Sequence, residues 1–256
     1  MVFEGLVISK TPYKERDLIT KVMLRNGLLA SFYIYGGQGG GKHHKPSLFE
    51  IGSMMRIHIK DQKSKGDLLI ATEYQRIWQP QHIRHNIQAF YLICLYLEVL
   101  QKFTPLYEMG VSDLENNEQE GFFSVVSNAL FHLDDSLDKK QFVPEQHLML
   151  FMIKFLFHLG IMPETDICGF CGTSLLDAPG VIFQPDQGQF ACHQCAPGAN
   201  DKEFLKRVKF SYQTKFQDYL QLSGASFQES DKLIQFFCHH FNLRPVELKS
   251  YGLLFK

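Results

Sequence analysis

Four cysteines in two tight pairs are the residues of this chain whose spacing most clearly indicates chemistry. Each pair has the form Cys-x-x-Cys, and 20 residues (172–191) separate the pairs. A Cys-x-x-Cys turn brings two thiolates to one cation at about 2.3 Å, and a second pair completes a tetrahedron with no open position for water or substrate. The spacing therefore predicts a structural Zn²⁺ site rather than a catalytic one. The predicted ligands are Cys168, Cys171, Cys192 and Cys195.

Other interpretations of these thiols fit the chain less well. Disulfide frameworks belong to short, cysteine-dense secreted chains, whereas this chain has 6 cysteines in 256 residues. A thioredoxin-type redox pair would need one Cys-x-x-Cys near a βαβ pattern, which the sequence does not show. Thiols without a metal stay an alternative. His193 lies inside the second pair and is an alternative ligand, although we expect it at the surface; Cys94 and Cys238 lie among apolar residues and are expected to be buried thiols.

The formal net charge of −1 hides an uneven distribution along the chain. Residues 1–80 carry 12 Lys or Arg against 7 Asp or Glu, whereas residues 81–256 carry 14 against 20. A basic region is the part of a protein that attracts a polyanion. If the chain binds nucleic acid, we expect the N-terminal region to do so.

The N-terminal 80 residues have the pattern of β structure. Asn26-Gly27 is a dipeptide that favours a two-residue hairpin turn. Met55, Ile57 and Ile59 share one face of the fourth strand, and Leu68 and Ile70 share one face of the fifth. Five short strands predict a small barrel of the OB-fold type, which commonly binds single-stranded nucleic acid. The predicted strands are 2–8, 18–24, 28–35, 51–60 and 67–74.

A glycine-rich segment, residues 36–46, lies between the third and fourth strands. It does not have the G-x-x-x-x-G-K-[ST] order of a phosphate-binding loop, because Lys42 is followed by His43 and no helix follows. A glycine loop that ends in lysines and histidines is typical of contact with a phosphate backbone, although a solvated surface loop is the alternative. The predicted DNA-binding residues are Lys42, Lys45, Arg25, Arg56 and Lys21.

From about Gln81 the apolar residues repeat with helical spacing. Residues 146–159 are apolar almost all round, which predicts a central helix that ends at Gly160. Residues 181–191 indicate a short hairpin that turns near 186–188, and helices resume after Asn200. The predicted fold is α+β: an N-terminal five-stranded OB-fold barrel followed by an α-helical domain that carries a zinc-ribbon-like insertion with four cysteine ligands. We expect the barrel at 1–80, the helical domain at 81–256 and the zinc module at about 165–200.

Several motifs together resemble the RecO family of bacterial recombination mediators. The barrel has a Leu-Arg-Asn-Gly hairpin corner at 24–27, and residues 155–163 (FLFHLGIMP) lead into 168–172 (CGFCG). The run from Val181 to Cys195 and the closing 247–250 (ELKS) fit the same pattern, so the resemblance spans nearly the whole chain.

The resemblance implies a non-enzymatic mediator of DNA repair and recombination. Such a protein binds single- and double-stranded DNA, anneals complementary strands and, with RecR, helps load RecA on strands coated by SSB. It also implies that the SSB C-terminal tail docks on the helical domain, where we expect a hydrophobic pocket rimmed by Lys or Arg. Some members of the family lack the cysteines, which fits a metal that supports folding.

Two other classes of function stay open at this point. A barrel and zinc-ribbon RNA-binding factor would share both features and would prefer structured RNA. A zinc-dependent hydrolase would need an open metal site and a carboxylate base, and the sequence has no H-E-x-x-H motif. The N-terminus has no secretion signal pattern and no segment predicts a membrane span, so we expect a cytoplasmic protein, associated with the nucleoid during repair.

Overall fold

A computed structural model describes residues 1–38, 48–59, 68–103, 120–198 and 200–255. It confirms the α+β fold, with a closed five-stranded barrel followed by helices and a two-stranded hairpin. The strands are β1 (Val2–Tyr13), β2 (Asp17–Leu24), β3 (Leu29–Ile34), β4 (Met54–Ile59), β5 (Leu68–Trp78), β6 (Val181–Gln184) and β7 (Gln189–Cys192). The α-helices are α1 (Ile87–Phe103), α2 (Glu120–Asp138), α3 (Pro144–His158), α4 (Lys202–Ser211), α5 (Phe227–His240) and α6 (Tyr251–Leu254). Short 3₁₀ helices lie at Ile83–His85, Phe216–Gln221 and Pro245–Glu247.

The barrel closes in the strand order β1-β2-β3-β5-β4. Neighbouring strands are antiparallel except β3 and β5, which pair in parallel. Inward side chains from all five strands fill the interior, which is what period-two alternation requires of a closed sheet. Most of this core is aliphatic, with two buried phenylalanines, Phe32 and Phe49.

The pairing register of β5 decides which of its two faces is buried, and the sequence pattern does not determine this. Leu69 and Ala71 point into the barrel core, whereas the face shared by Leu68 and Ile70 is the outer one. Three consecutive apolar residues satisfy either alternation, so the pairing of Leu69 with the inward Phe32 decides which side is buried.

The β2–β3 hairpin is present, but its turn is longer than the two residues predicted. The Leu24 N–H donates to the Leu28 carbonyl at 2.8 Å, which leaves three residues in the loop. Gly27 has φ of 86°, and Asn26 is not among the residues with positive φ. A type I turn followed by one left-handed glycine explains this geometry, because it needs only one residue in that region.

The chain forms two compact units, Met1–His85 with Val99–Asp134, and Asn86–Glu98 with Asp135–Lys256. Within the first unit, the buried carboxylate of Asp134 near the end of α2 accepts hydrogen bonds from three backbone N–H groups, at 2.7–3.0 Å. The donors belong to Gln81, His82 and Ile83, directly after β5. An unpaired buried carboxylate would cost free energy, so these hydrogen bonds hold α2 against the segment that follows β5.

In the second unit, α3 is the central helix that the sequence predicts. Its residues from Gln146 to Ile153 are all buried, and it ends at His158, just before Gly160 with φ of 71°. Phe151 stacks on Tyr96 of α1 with ring centroids 3.9 Å apart, and Phe155 contacts Phe237 of α5. Helix faces buried on several sides are typical of the middle of a bundle. No helix among the described residues is long and apolar enough to cross a bilayer.

Candidate metal centre and nucleic-acid interface

The first cysteine pair is shaped by a backbone turn that its glycines permit. The Cys168 N–H donates to the Thr173 carbonyl at 2.8 Å, and the Gly172 N–H returns to the Cys168 carbonyl at 2.9 Å. Gly172 has φ of 71°. This backbone conformation is unfavourable for residues that have a side chain, and glycine adopts it readily. This turn, residues 168–173, is the first knuckle, and it therefore holds Cys168 and Cys171 on one side.

The second pair is delivered by the β6–β7 hairpin, which turns at 185–188 as predicted. Cys192 ends β7, and the Cys195 N–H donates to the Cys192 carbonyl at 2.9 Å. The Gly169 N–H donates to the Phe190 carbonyl at 3.0 Å, which joins the first knuckle to β7. The hairpin thus places both pairs side by side.

The four sulfur atoms lie within 4.8 Å of one another. The Cys171 and Cys192 sulfurs are 3.7 Å apart. Four sulfurs at about 2.3 Å from one cation would be separated by about 3.8 Å, whereas a disulfide requires about 2.05 Å. The four sulfurs and their separations therefore fit a tetrahedral thiolate site. The four cysteines are free thiols and form no disulfides.

The backbone around the cluster favours thiolate at its most buried member. Burial by itself would raise the pKa of Cys168, but N–H groups of Cys192, Cys171 and Phe170 outweigh burial and lower the pKa to about 6. The thiols of Cys171 and Cys192 beside Cys195 raise the pKa of that residue to about 12. Four adjacent thiolates repel one another, and a divalent cation is what would stabilise all of them together.

The other thiol and imidazole side chains considered from the sequence are not part of this cluster. The cluster of metal-binding side chains among the described residues consists of the four cysteines, and His193 is exposed, as expected of a surface residue. Cys238 is buried, whereas Cys94 is only partly buried. Burial raises the pKa of both thiols, which favours the neutral, unreactive form.

A cavity of about 550 Å³ opens beside the first knuckle. Residues 161–164, the glycines at 169, 172 and 188, and Phe236 with His240 of α5 are among its lining residues. Glu164 lines it, and no lysine or arginine does so among the described residues. Among the described residues, the cavity therefore lacks the rim of Lys or Arg that we expect of the SSB-tail pocket.

On the barrel, the structure brings two of the predicted DNA-binding residues to one carboxylate. Glu4 accepts from Arg25 Nε at 2.7 Å, and from Arg56 Nε at 2.8 Å and Nη2 at 2.6 Å. The guanidinium of Arg25 also lies over the Phe123 ring, 5.8 Å from its centroid. The hydrogen bond from Arg56 is the largest cause that lowers the pKa of Glu4, so the carboxylate is ionised near neutral pH. Two exposed cations thus share one anion.

The remaining predicted DNA-binding residues are placed differently. Lys21 lies in β2, where it pairs with Ser9 of β1 and Ser31 of β3 and is half-buried. Lys42 and Lys45 lie outside the described residues. The structure therefore joins Arg25 with Arg56, and it gives Lys21 a place on a separate stretch of the sheet.

Glu4 and a row of tyrosines on the barrel were not predicted from the sequence. The rings of Tyr13 and Tyr33 are 5.7 Å apart, and those of Tyr33 and Tyr35 are 4.7 Å apart. A signal existed for the second pair, because residues two apart near a strand share a face. Glu4 gave no comparable signal, since its partners are 21 and 52 positions away along the chain.

Comparison with known proteins relates most of the chain to one group. A family described as "Recombination protein O C terminal" matches residues 111–250. The DNA repair protein RecO of Thermodesulfovibrio yellowstonii is 24% identical over 250 residues, which covers 91% of this chain and 89% of that protein. The DNA repair protein RecO of Desulfatibacillum aliphaticivorans is 26% identical over 209 residues, with 76% and 72% covered. That of Syntrophobacter fumaroxidans is 21% identical over 189 residues, with 74% and 68% covered.

Proposed function

Because the chain belongs to the RecO family, we propose that it acts in DNA repair and recombination as a mediator without catalytic chemistry of its own. It binds single- and double-stranded DNA, anneals complementary strands and, with RecR, helps load RecA on SSB-coated single strands. The observation that carries this proposal is the family match over residues 111–250, combined with an N-terminal closed barrel that has exposed arginines. Its place of action is the cytoplasm, at the nucleoid during repair.

The proposed DNA contact is electrostatic and lies in the barrel domain, residues 1–80. Arg25 and Arg56 are 59% and 45% exposed, so their guanidinium groups are accessible to phosphates. Lys21 and the loop lysines Lys42 and Lys45 extend the same kind of contact. Contacts of this type release counterions, so binding weakens with salt and shows little base preference.

Annealing requires no nucleotide hydrolysis in this mechanism. Cations on the barrel screen the repulsion between two phosphate backbones and raise the local concentration of strands. The contacts must be weak enough for bases to exchange partners. The pairing of two arginines with Glu4 keeps the net charge of this group at one positive unit, which suits weak contact.

We propose Zn²⁺ as the structural metal, held by the four cysteines within a module of about residues 165–200. When bound, the metal would neutralise the thiolates and cross-link the knuckle at 168–171 to the end of β7. The hairpin of this module also packs on the rest of the helical domain, because Phe183 and Phe190 contact Phe204 of α4. The metal therefore supports the fold of the helical domain, residues 81–256, and takes no part in DNA chemistry.

For the SSB tail, the chemistry fits a surface formed by α3 and the end of α4 better than the cavity beside the first cysteine pair. Phe157 and Tyr212 are 40% and 47% exposed. Their rings are 4.7 Å apart. The Lys154 ammonium donates to the Tyr212 carbonyl at 2.7 Å. Exposed rings beside a cation suit a tail that ends in an apolar side chain and a carboxylate.

The decisive experiment is annealing without nucleotide. Complementary oligonucleotides are coated with SSB and mixed with the pure protein without ATP, and duplex formation is followed across a salt series. We expect faster annealing than with SSB alone and a loss of the effect as salt rises. No acceleration at low salt, with or without RecR, would refute the proposal. A strong preference for structured RNA over single-stranded DNA would favour the RNA-binding alternative.

The loop lysines allow a sharper test of the interface. The double variant Lys42→Ala/Lys45→Ala should bind DNA more weakly. The slope of log affinity against log salt concentration, here called the salt slope, should fall in magnitude by about two. Lys206→Ala/Lys215→Ala removes the same charge from exposed positions of the helical unit and should leave the slope unchanged. Equal slopes for the loop variant and the wild type would remove the loop from the interface.

A further inference from the structure

Three tyrosines form a continuous aromatic row on the barrel. Tyr33 lies between the other two, with ring centroids 5.7 Å from Tyr13 and 4.7 Å from Tyr35. Tyr33 is buried to 8% exposure, whereas Tyr13 is 43% and Tyr35 62% exposed. The row therefore has a buried centre and two rings that reach solvent.

Strand register places this row on the outer face of the sheet. Ile19 pairs with Tyr33, which in turn pairs with Ile70 of β5, and the residues adjacent to Ile19 and Tyr33 along their strands point into the core. Ile70 is 38% exposed and lies beside Tyr33 on that face. Lys21, two positions from Ile19 along β2, points the same way. The outer face is thus apolar and aromatic, with a cation at its side.

The row is held rigidly by its turns. The Tyr33 hydroxyl donates to the Asp17 carboxylate, and the Gly36 N–H donates to the same carboxylate at 3.0 Å. The Gln38 side-chain amide donates to the carbonyls of Asp17 at 2.7 Å and Lys14 at 3.2 Å. Lys14 has φ of 53°, an uncommon conformation for a residue with a side chain. Several hydrogen bonds therefore maintain a strained turn beside the exposed rings.

Charge around the row favours a polyanion. The Lys14 ammonium lies 5.5 Å from the centroid of the Tyr13 ring. Residues 9–21 contain four basic side chains and two acidic ones, and the acidic Asp17 is occupied by Tyr33 and Gly36. Exposed aromatic rings beside cations match a ligand that has both flat apolar groups and phosphates.

We propose that Tyr13 and Tyr35 form a base-stacking platform for single-stranded DNA. This inference rests on the proposed DNA-binding function and adds to it a contact with bases. Bases in a duplex are stacked on one another and cannot reach these rings, whereas unpaired bases can. The platform therefore gives the protein a preference for single strands that phosphate contacts alone do not supply.

The test measures binding of a fluorescent oligo-dT and of a duplex of equal length by anisotropy, across a salt series. Tyr13→Ala and Tyr35→Ala should each weaken oligo-dT binding about tenfold, because one stacked base is lost. Their duplex affinity and salt slope should stay at wild-type values, since phosphate contacts are unchanged. Tyr13→Phe and Tyr35→Phe keep the ring and should bind as the wild type does.

An abasic oligonucleotide identifies the partner of the rings. It retains the phosphates and lacks bases. The wild type should therefore bind it about as weakly as the double variant Tyr13→Ala/Tyr35→Ala binds oligo-dT. The double variant should bind the abasic oligonucleotide and oligo-dT with equal affinity. Phe90→Ala removes a 45% exposed ring from α1 and serves as the matched control, with no expected effect. Thermal melts verify that each variant is folded.

The outcomes separate this inference from the proposed function. If the wild type binds oligo-dT and the alanine variants bind it equally well, the platform is refuted while DNA binding stands. A parallel loss of duplex and oligo-dT affinity would also refute it, because it would indicate a phosphate contact. If the wild type binds no DNA at low salt, the proposed function itself fails.

Discussion

The cysteine module and the outer face of the barrel organise their functional side chains in opposite ways. The cysteines are short side chains on tight turns, with two of the four buried and all sulfurs within 4.8 Å. The barrel cations are long, exposed side chains whose positions depend on partners from other strands. Two local turns joined by one hairpin thus bring the four sulfurs together, whereas the arginines of the barrel are placed by pairing between residues distant in sequence.

Ion pairs of the helical unit and of the barrel differ in a similar way. Arg207 of α4 and Glu229 of α5 are only 20% and 12% exposed, and the carboxylate also accepts from the Ser226 N–H at 3.2 Å. The two arginines that hold Glu4 are 59% and 45% exposed, and Glu4 itself is 22% exposed. A pair with little solvent contributes to the fold, because loss of one partner leaves a buried charge, whereas an exposed pair is free to exchange partners.

The largest effect should come from breaking the metal site. Cys168→Ser should lower the free energy of unfolding by on the order of 5 kcal/mol, because metal binding is coupled to folding. Elemental analysis and thermal melts check this, with Cys94→Ser as the control thiol outside the cluster. DNA affinity of the remaining folded protein should be unchanged. Wild-type stability in Cys168→Ser, or in chelated protein, would contradict a structural metal.

Next in size is the interhelical ion pair. Arg207→Ala should destabilise the protein by about 2–3 kcal/mol, because it removes the guanidinium partner of Glu229 at a site with little solvent. Arg25→Ala, which removes an exposed partner of Glu4, should cost less than about 1 kcal/mol. Urea unfolding of both variants measures the difference. Equal losses would show that the contrast in burial has no energetic meaning here.

Removal of the competing carboxylate should strengthen DNA binding. Glu4→Gln frees Arg25 and Arg56 for phosphates, so affinity should rise several-fold and the salt slope should steepen by about one. The pKa of Glu4 is lowered, so its charge is lost only as pH falls through that lowered pKa. The ratio of the affinities of variant and wild type should therefore be constant between about pH 6 and pH 8. Weaker binding by Glu4→Gln would instead show that Glu4 positions the arginines.

The smallest effect should come from Lys21. Lys21→Ala should weaken binding by about two- to threefold and reduce the salt slope by about one, since it would remove one of the proposed phosphate contacts. Lys206→Ala is the control at an exposed position of the helical unit. A salt slope equal to that of the wild type would place Lys21 outside the interface.

Local patterns predicted much of the architecture. Alternation along β4 identified Met55, Ile57 and Ile59 as one face, and all three are buried in the barrel. The apolar run and Gly160 identified the central helix α3 and its end. The buried face of β5 could not be predicted from such a pattern, because Leu68, Leu69 and Ile70 fit both alternations. The predicted two-residue turn of the β2–β3 hairpin was wrong, because a three-residue turn needs only one left-handed residue, Gly27.

The sequence by itself determined the cysteine pairs, the strand and helix order and the basic character of the N-terminal region. These depend on spacing, periodicity and composition, all of which are local properties of the chain. Only the tertiary structure decided that Glu4 holds Arg25 and Arg56, and that Tyr13, Tyr33 and Tyr35 form one row. The physical reason is that sheet register brings together side chains from strands distant in sequence, and a shift of one residue would move each to the opposite face.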